Sequence, residues 1–145
     1  MGILIDSETL LSWAEHPARL EAWMGSRREE ECFLSMVTVD ELLRAVAETT
    51  EGKRRHRRMA FVESALEHLP VLPLDRKTAR IHAGIRPGGK AGGKSGEELS
   101  DRDGWVAATC LAHGLVLVTQ RPEIFRRVPG LVCQAYPGPG RTVRP

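Results

Sequence analysis

The chain of 145 residues has only three cysteines, Cys32, Cys110 and Cys133, and none is paired in a C-x-x-C motif. That rules out the usual spacing of a zinc knuckle or dithiol centre, and the apolar setting of all three suggests reduced core residues of a cytoplasmic protein. No apolar stretch approaches the roughly 20 residues of a membrane span, so no membrane association is expected. The apolar run begins at Gly2, which leaves no room for a signal peptide before it. Charge of one sign is also scarce in net terms. The 21 Lys and Arg against 19 Asp and Glu leave +2, too little by itself to imply nucleic-acid binding. There is no internal repeat and no arrangement suggesting a nucleophile triad. What remains is 41% hydrophobic and 28% charged, an ordinary composition for one globular domain with a real core.

Along the chain, short apolar runs alternate with helical patterns. Ile3 to Asp6 reads as a buried strand. Ser7 reads as the cap of a helix that breaks at His16-Pro17 and resumes toward Met24. Cys32 to Ser35 is a second strand. Thr38, with Glu41 three residues later, is a capping box for a helix reaching Thr50. Met59, Val62, Ala65, Leu66 and Leu69 give the stretch 53–69 helical periodicity. Val71 to Leu74 is a strand, and Asp75 caps a helix toward Ile85. A Gly- and Lys-rich loop spans 87–98. Ser100 to His113 is a helix closed by Gly114, Leu115 to Thr119 a continuous apolar strand, and Leu131 to Ala135 a last strand. A Pro/Gly tail covers 137–145, leaving 1–136 as a single domain. This alternation predicts an α/β protein with helices on both faces of a mostly parallel sheet.

Carboxylates recur where this sheet would end its strands. Asp6 closes the first strand, Glu41 lies just beyond the second, and Asp103 opens the helix before the fourth. The carboxyl edge of an open parallel sheet is where ligands bind. Converging carboxylates there suit a hard, oxygen-seeking cation such as Mg²⁺ or Mn²⁺. Capping is the competing explanation: acids near helix starts offset the helix dipole, and the capping box accounts for Glu41 completely. Asp6 is harder to explain this way, because Ser7 is the better cap. Asp101 and Asp103 are separated by roughly 200° of helical rotation. Only one can face the site, and Asp103 continues the apolar stripe of Trp105, Val106 and Ala108.

Ile3-Leu4-Ile5-Asp6-Ser7, then Ser35-x-x-Thr38-x-x-Glu41-Leu42, then Asp103-Gly-Trp-Val-Ala-Ala-Thr follow one another in the order of a known family. Gly114-Leu-Val-Leu-Val-Thr119 and 125–131 supply its closing strand, short helix and strand. In these segments the chain resembles the PIN-domain nucleases, most closely the VapC-type toxins of toxin–antitoxin pairs. The resemblance implies a three-layer α/β/α PIN-like fold and metal-dependent cleavage of an RNA phosphodiester. Asp6, Glu41 and Asp103 would be the catalytic and metal-holding acids, and Mg²⁺ or Mn²⁺ the cofactor, activating water and offsetting charge on the phosphate. Ser7 and Thr119 would support a carboxylate or water. It also implies an antitoxin partner and a homodimer, with Trp13, Leu20 and Trp23 as candidate contacts.

One position departs from the family. Two residues after Thr119, where an Asp or Asn is common, stands Arg121. A guanidinium cannot ligate a cation. It is expected to pair with a carboxylate and weaken cation binding, with Glu123 or Asp101 as possible substitutes. A catalytically degenerate RNA-binding or regulatory protein is therefore the alternative on the same fold. A third reading comes from Gly88 to Ser95, which matches the G-x-x-x-x-G-K-[ST] phosphate loop. Its surroundings oppose that reading, because no strand precedes it and Gly96-Glu97-Glu98 follow it. Lys90 and Lys94 are expected to bind no nucleotide tightly. Finally, five cations crowd 53–58. Arg54, Arg55, Arg57 and Arg58 could track an RNA backbone or simply face solvent.

Overall fold

In a computed structural model of the chain, the described residues are 2–26, 30–85 and 99–136. The Gly/Lys loop, with Lys90 and Lys94, and the tail 137–145 lie outside them.

The elements run β1 (Ile3–Ile5), α1 (Ser7–Glu15), α2 (Pro17–Gly25), β2 (Cys32–Ser35), α3 (Met36–Glu48), α4 (Gly52–His68), β3 (Val71–Leu72), α5 (Arg76–Gly84), α6 (Asp101–His113), β4 (Val116–Thr119), α7 (Pro122–Phe125) and β5 (Cys133–Ala135). The five strands form one sheet in the order β3-β2-β1-β4-β5. Every pairing is parallel, with Leu4 opposite Phe33 on one side and Leu117 on the other. Ile3, Leu4 and Ile5 are all buried, as expected of a central parallel strand covered on both faces.

Successive side chains of β1 point to opposite faces. Ile3 and Ile5 join Leu10, Trp13, Leu34, Leu42, Val46 and Val62 in one core layer, beneath α1, α3 and α4. Leu4 joins Leu117, Val106, Ala107, Cys110 and Phe125 in the other, beneath α6 and α7. This is the expected three-layer α/β/α architecture. Pro17 opens α2 at a position where its missing N–H costs nothing. Gly114, at φ 63°, ends α6 in the left-handed conformation glycine favours.

Three expectations are corrected. The cap of α1 is Asp6, not Ser7: Thr9 N donates to Asp6 Oδ1 at 2.9 Å. The cap of α3 is Ser35, to which Thr38 N donates at 3.0 Å. Glu41 therefore lies in the second turn, past the capping box assigned to it. Trp13, a candidate partner contact, is entirely buried. It packs against Trp23 at 4.9 Å and Tyr136 at 5.2 Å between ring centroids. Leu20 and Trp23 remain half-buried. All three cysteines are free, and burial pushes the Cys110 and Cys133 thiols up, away from thiolate chemistry.

The basic run begins α4 at the end of α1 remote from Asp6. Glu15 accepts from Arg54 Nε at 2.8 Å and Arg58 Nε at 3.1 Å, with Arg57 at 3.9 Å. Arg58 also donates to Thr49 Oγ1 at 3.1 Å. Three of the four expected RNA contacts thus tie α4 to α1. Arg55 is exposed and makes no ion pair among the described residues.

The Arg54 hydrogen bond, with that of Arg58, holds the Glu15 carboxyl below its ordinary value of 4.5. A lowered folded-state value means this stabilisation is complete above the unfolded value and fades as pH falls through the folded one. Glu15→Gln is expected to cost about 0.5–1 kcal/mol at pH 7. Thermal unfolding at pH 7 and pH 3 checks this: the gap between the two proteins should close at the lower pH.

Candidate active site

The strand order reverses between β1 and β4. β2 and β3 extend the sheet to one side of β1, and β4 and β5 extend it to the other. A crevice at the carboxyl ends of such strands is the expected ligand site, and the polar residues collect there.

Asp6 follows β1 directly and is only 4% exposed. Its backbone N–H donates to Val118 O at 3.1 Å, holding it in the sheet ladder. While Oδ1 caps α1, Oδ2 accepts from Thr119 Oγ1 at 2.5 Å. Thr119 Oγ1 in turn accepts from Arg121 N at 3.0 Å. That acceptance leaves the hydroxyl proton for Asp6, so the ends of β1 and β4 are locked together through one carboxylate. Burial raises the Asp6 carboxyl above its usual range, against the opposing hydrogen bonds of Thr119 and Thr9 and the charge of Arg121.

Glu41 is half-buried on α3, and its Oε2 accepts from Ser7 Oγ at 3.1 Å. Its carboxyl is raised by burial and by the negative charge of Asp103, against the Ser7 bond and Arg102. Asp103 lies in the first turn of α6, which is capped by Ser100 with Asp103 N donating to its Oγ at 3.1 Å. Arg121 grips Asp103 with both prongs, Nη2 donating to Oδ1 at 2.9 Å and Nη1 to Oδ2 at 3.2 Å.

Asp101 does not reach the site. Its carboxylate is 73% exposed and meets His82 Nε2 at 3.1 Å, so the helical rotation separates it from Asp103 as expected. His82 lies flat on Trp105 at 3.8 Å and 6°. It passes so close to α6 that a Cβ on Gly104 would sit 3.3 Å from its Nε2. This contact accounts for a helix-weakening glycine beside Asp103. Glu123 is exposed on α7 and forms no hydrogen bond or ion pair among the described residues. Neither Asp101 nor Glu123 takes the place left by Arg121.

Glu8 was not anticipated. It stands in the first turn of α1, with Oε1 at 3.2 Å from Arg121 Nε. Burial raises its carboxyl, as do the charges of Asp6 and Asp103, while Arg121 opposes them. Its clue in the sequence was Arg121 itself, because a half-buried cation calls for more than one anion. For Arg121, burial works against the charge, but Asp103, Glu8 and Asp6 outweigh it and hold the guanidinium firmly protonated. Its carbon also lies 5.8 Å from the Phe125 ring centroid.

Asp6, Glu8, Glu41 and Asp103 thus share one electrostatic neighbourhood, with hydroxyls at Ser7 and Thr119. The donor set is all oxygen, the chemistry a hard cation prefers. The arrangement is organised around Arg121 instead: among the described residues, no three acids, histidines or cysteines converge on one point as metal ligands would.

Comparison with known proteins agrees with the fold. The PIN domain family model matches residues 3–131, and the chain belongs to that family. It is 35% identical to Toxin FitB of Neisseria gonorrhoeae over 74% of this chain and 77% of that protein. It is 33% identical to VapC ribonuclease Y4jK of Sinorhizobium fredii over 85% of this chain and 89% of that one. Among solved structures, FitAcB of Neisseria gonorrhoeae matches at a TM-score of 0.71 and 30% identity, covering 91% of this chain and 96% of that one. VapBC2 of Rickettsia felis, bound to a promoter DNA fragment, matches at a TM-score of 0.74 and 15% identity, covering 94% and 99%; at that identity it supports the fold.

Because Asp6 is raised, folding penalises its ionised form. The penalty is full above the folded-state value and absent below the ordinary 3.8. Asp6→Asn lifts this penalty but also replaces the oxygen that accepts from Thr119 with a donor, so the two effects are separated by their pH dependence. The thermal midpoint of the variant relative to wild type is expected to rise as pH goes from 4 to 8, as read by calorimetry across that range. A difference that stays flat or moves the other way would contradict this assignment.

Proposed function

We propose that the chain is an endoribonuclease and the toxin of a toxin–antitoxin pair, hydrolysing an RNA phosphodiester with Mg²⁺ or Mn²⁺. The observation that carries this reading is the buried Asp6 at the topological switch of a PIN-domain sheet. That carboxyl lies where burial disfavours its ionised form, in the company of three more acids. The relatives named as VapC ribonucleases and as a toxin support the same activity.

In this reading Asp6, Glu41 and Asp103 would hold the cation once Arg121 releases Asp103, and the cation would supply a more acidic water and offset charge on the phosphate. The chain's own groups prepare that place. Thr119 fixes the rotamer of Asp6 by donating to Oδ2, and Arg121 N fixes the direction of the Thr119 hydroxyl. Ser7 orients Glu41 from the helix that Asp6 caps. The His82–Trp105 stack and the Ser100 cap set the first turn of α6, and with it Asp103. The outward Arg55, with Lys53, is left to meet the RNA backbone.

An antitoxin partner is supported by relatives solved as VapBC and FitAcB complexes. Its seat would be the apolar groove of about 240 Å³ between α1, α2 and α4, lined by Leu10, Leu20, Met24, Phe61 and Ala65. A homodimer and a cytoplasmic location, where RNA is available, complete the reading. No described helix is long and apolar enough to cross a membrane.

One observation favours a second reading. Arg121 occupies both oxygens of Asp103, as it would in a PIN protein that binds RNA without cutting it. Incubation of a mixed RNA pool with millimolar Mn²⁺ decides between them. Wild type is expected to cleave, and Asp6→Asn, Glu41→Gln and Asp103→Asn to lose at least the roughly 10–100-fold typical of disturbing a metal site. RNA bound but uncut by wild type would establish the second reading.

A further inference from the structure

We propose that Arg121 is the resident cation of the acidic cluster and competes with the divalent ion for Asp103, and that Glu8 is the positioning residue that offers the guanidinium its alternative seat. The proposal rests on the metal-dependent reading of the site.

The guanidinium has five N–H donors in a fixed fork. Two of its nitrogens are spent on Asp103, one per oxygen. The third, Nε, is buried and makes no hydrogen bond, although Glu8 Oε1 is only 3.2 Å away. The distance satisfies an ion pair while the angle fails a hydrogen bond. A buried donor left in that state is a local deficit, which a small rotation toward Glu8 would remove. Glu8 is able to follow, since its side chain is 48% exposed and is held by no other of the described residues. A turn of Arg121 onto Glu8 exchanges its two charge-assisted bonds to Asp103 for bonds to the two oxygens of Glu8 and leaves Asp103 open. Glu8 therefore never has to touch the divalent ion to govern its binding. It acts through Arg121.

The test is Mn²⁺ binding measured by calorimetry on the full chain without RNA, with folding checked by thermal unfolding. Arg121→Gln is expected to tighten Mn²⁺ binding by about tenfold or more, the size of one lost charge-assisted hydrogen bond in competition. Arg121→Lys keeps the charge without the fork and should fall between. Glu8→Gln alone is expected to weaken Mn²⁺ binding several-fold, roughly half a decade, because the guanidinium then has no seat but Asp103. Combined with Arg121→Gln, Glu8→Gln should weaken binding clearly less than it does alone, leaving only the loss of its nearby charge. If Arg121→Gln and Arg121→Lys both leave the affinity unchanged, Arg121 does not compete and the proposal fails. If Glu8→Gln weakens binding equally in both backgrounds, Glu8 acts on the ion directly, by charge or as a ligand, and its positioning role is overturned. Absence of Mn²⁺ binding in all five proteins also overturns the proposal. RNA cleavage is scored separately, so a wild type that cuts RNA keeps the ribonuclease reading even when this one fails.

Discussion

Carboxylates that leave water must be compensated by hydrogen bonds or by opposite charge, and the carboxyl edge of this sheet is built around that requirement. Asp6 is compensated by hydrogen bonds, from Thr9 N and Thr119 Oγ1. Asp103 is compensated by charge, from the forked guanidinium of Arg121. The two solutions meet at β4, whose last residue supplies the hydroxyl and whose following loop supplies the cation. If either were removed, the remaining acids would repel one another across a partly dry crevice. Burial first, and the neighbouring acids after it, already raise Glu8 and Glu41 there.

The first turn of α1 does most of the organising. Asp6, Ser7 and Glu8 are consecutive, and each step turns about 100° around the helix. They consequently reach three different parts of the site: Thr119 at the end of β4, Glu41 on α3, and Arg121 ahead of α7. Three neighbouring residues could not do this from a strand, where alternate side chains point to opposite faces. Capping by Asp6 matters here for more than helix stability, because it sets the rotational phase of the two residues that follow.

Asp103 is positioned from the opposite layer by contacts outside the acidic cluster. Ser100 caps α6, Gly104 lets the His82 ring lie against the helix, and Trp105 stacks on that ring. On the far side Arg102 meets Asp40 of α3 at 2.8 Å. The N-terminus of α6 is thus braced by α5 and α3, the kind of rigid support that a site of closely set charges needs.

The local pattern of the chain was enough to order its elements and to place its strands, because apolar runs and helical periodicity depend only on near neighbours. It also separated Asp103 from Asp101, since helical rotation is a local quantity, while the resemblance to the PIN-domain nucleases marked Arg121 as out of place. Capping was less legible. Asp6 and Ser7 are both good cap residues, as are Ser35 and Thr38, and the choice between members of each pair follows from where the strand stops. Only the tertiary structure decided the pairings. Arg54, Arg57 and Arg58 look like a nucleic-acid face until α1 brings Glu15 beside them. Trp13 looks like an anchor for a partner until Trp23 and Tyr136 close over it. Glu8 looks like a favourable charge at a helix start until β4 delivers Arg121 to it from more than a hundred residues away. The charge of a residue is local information, but which opposite charge it meets depends on chain crossings that no nearby residue records.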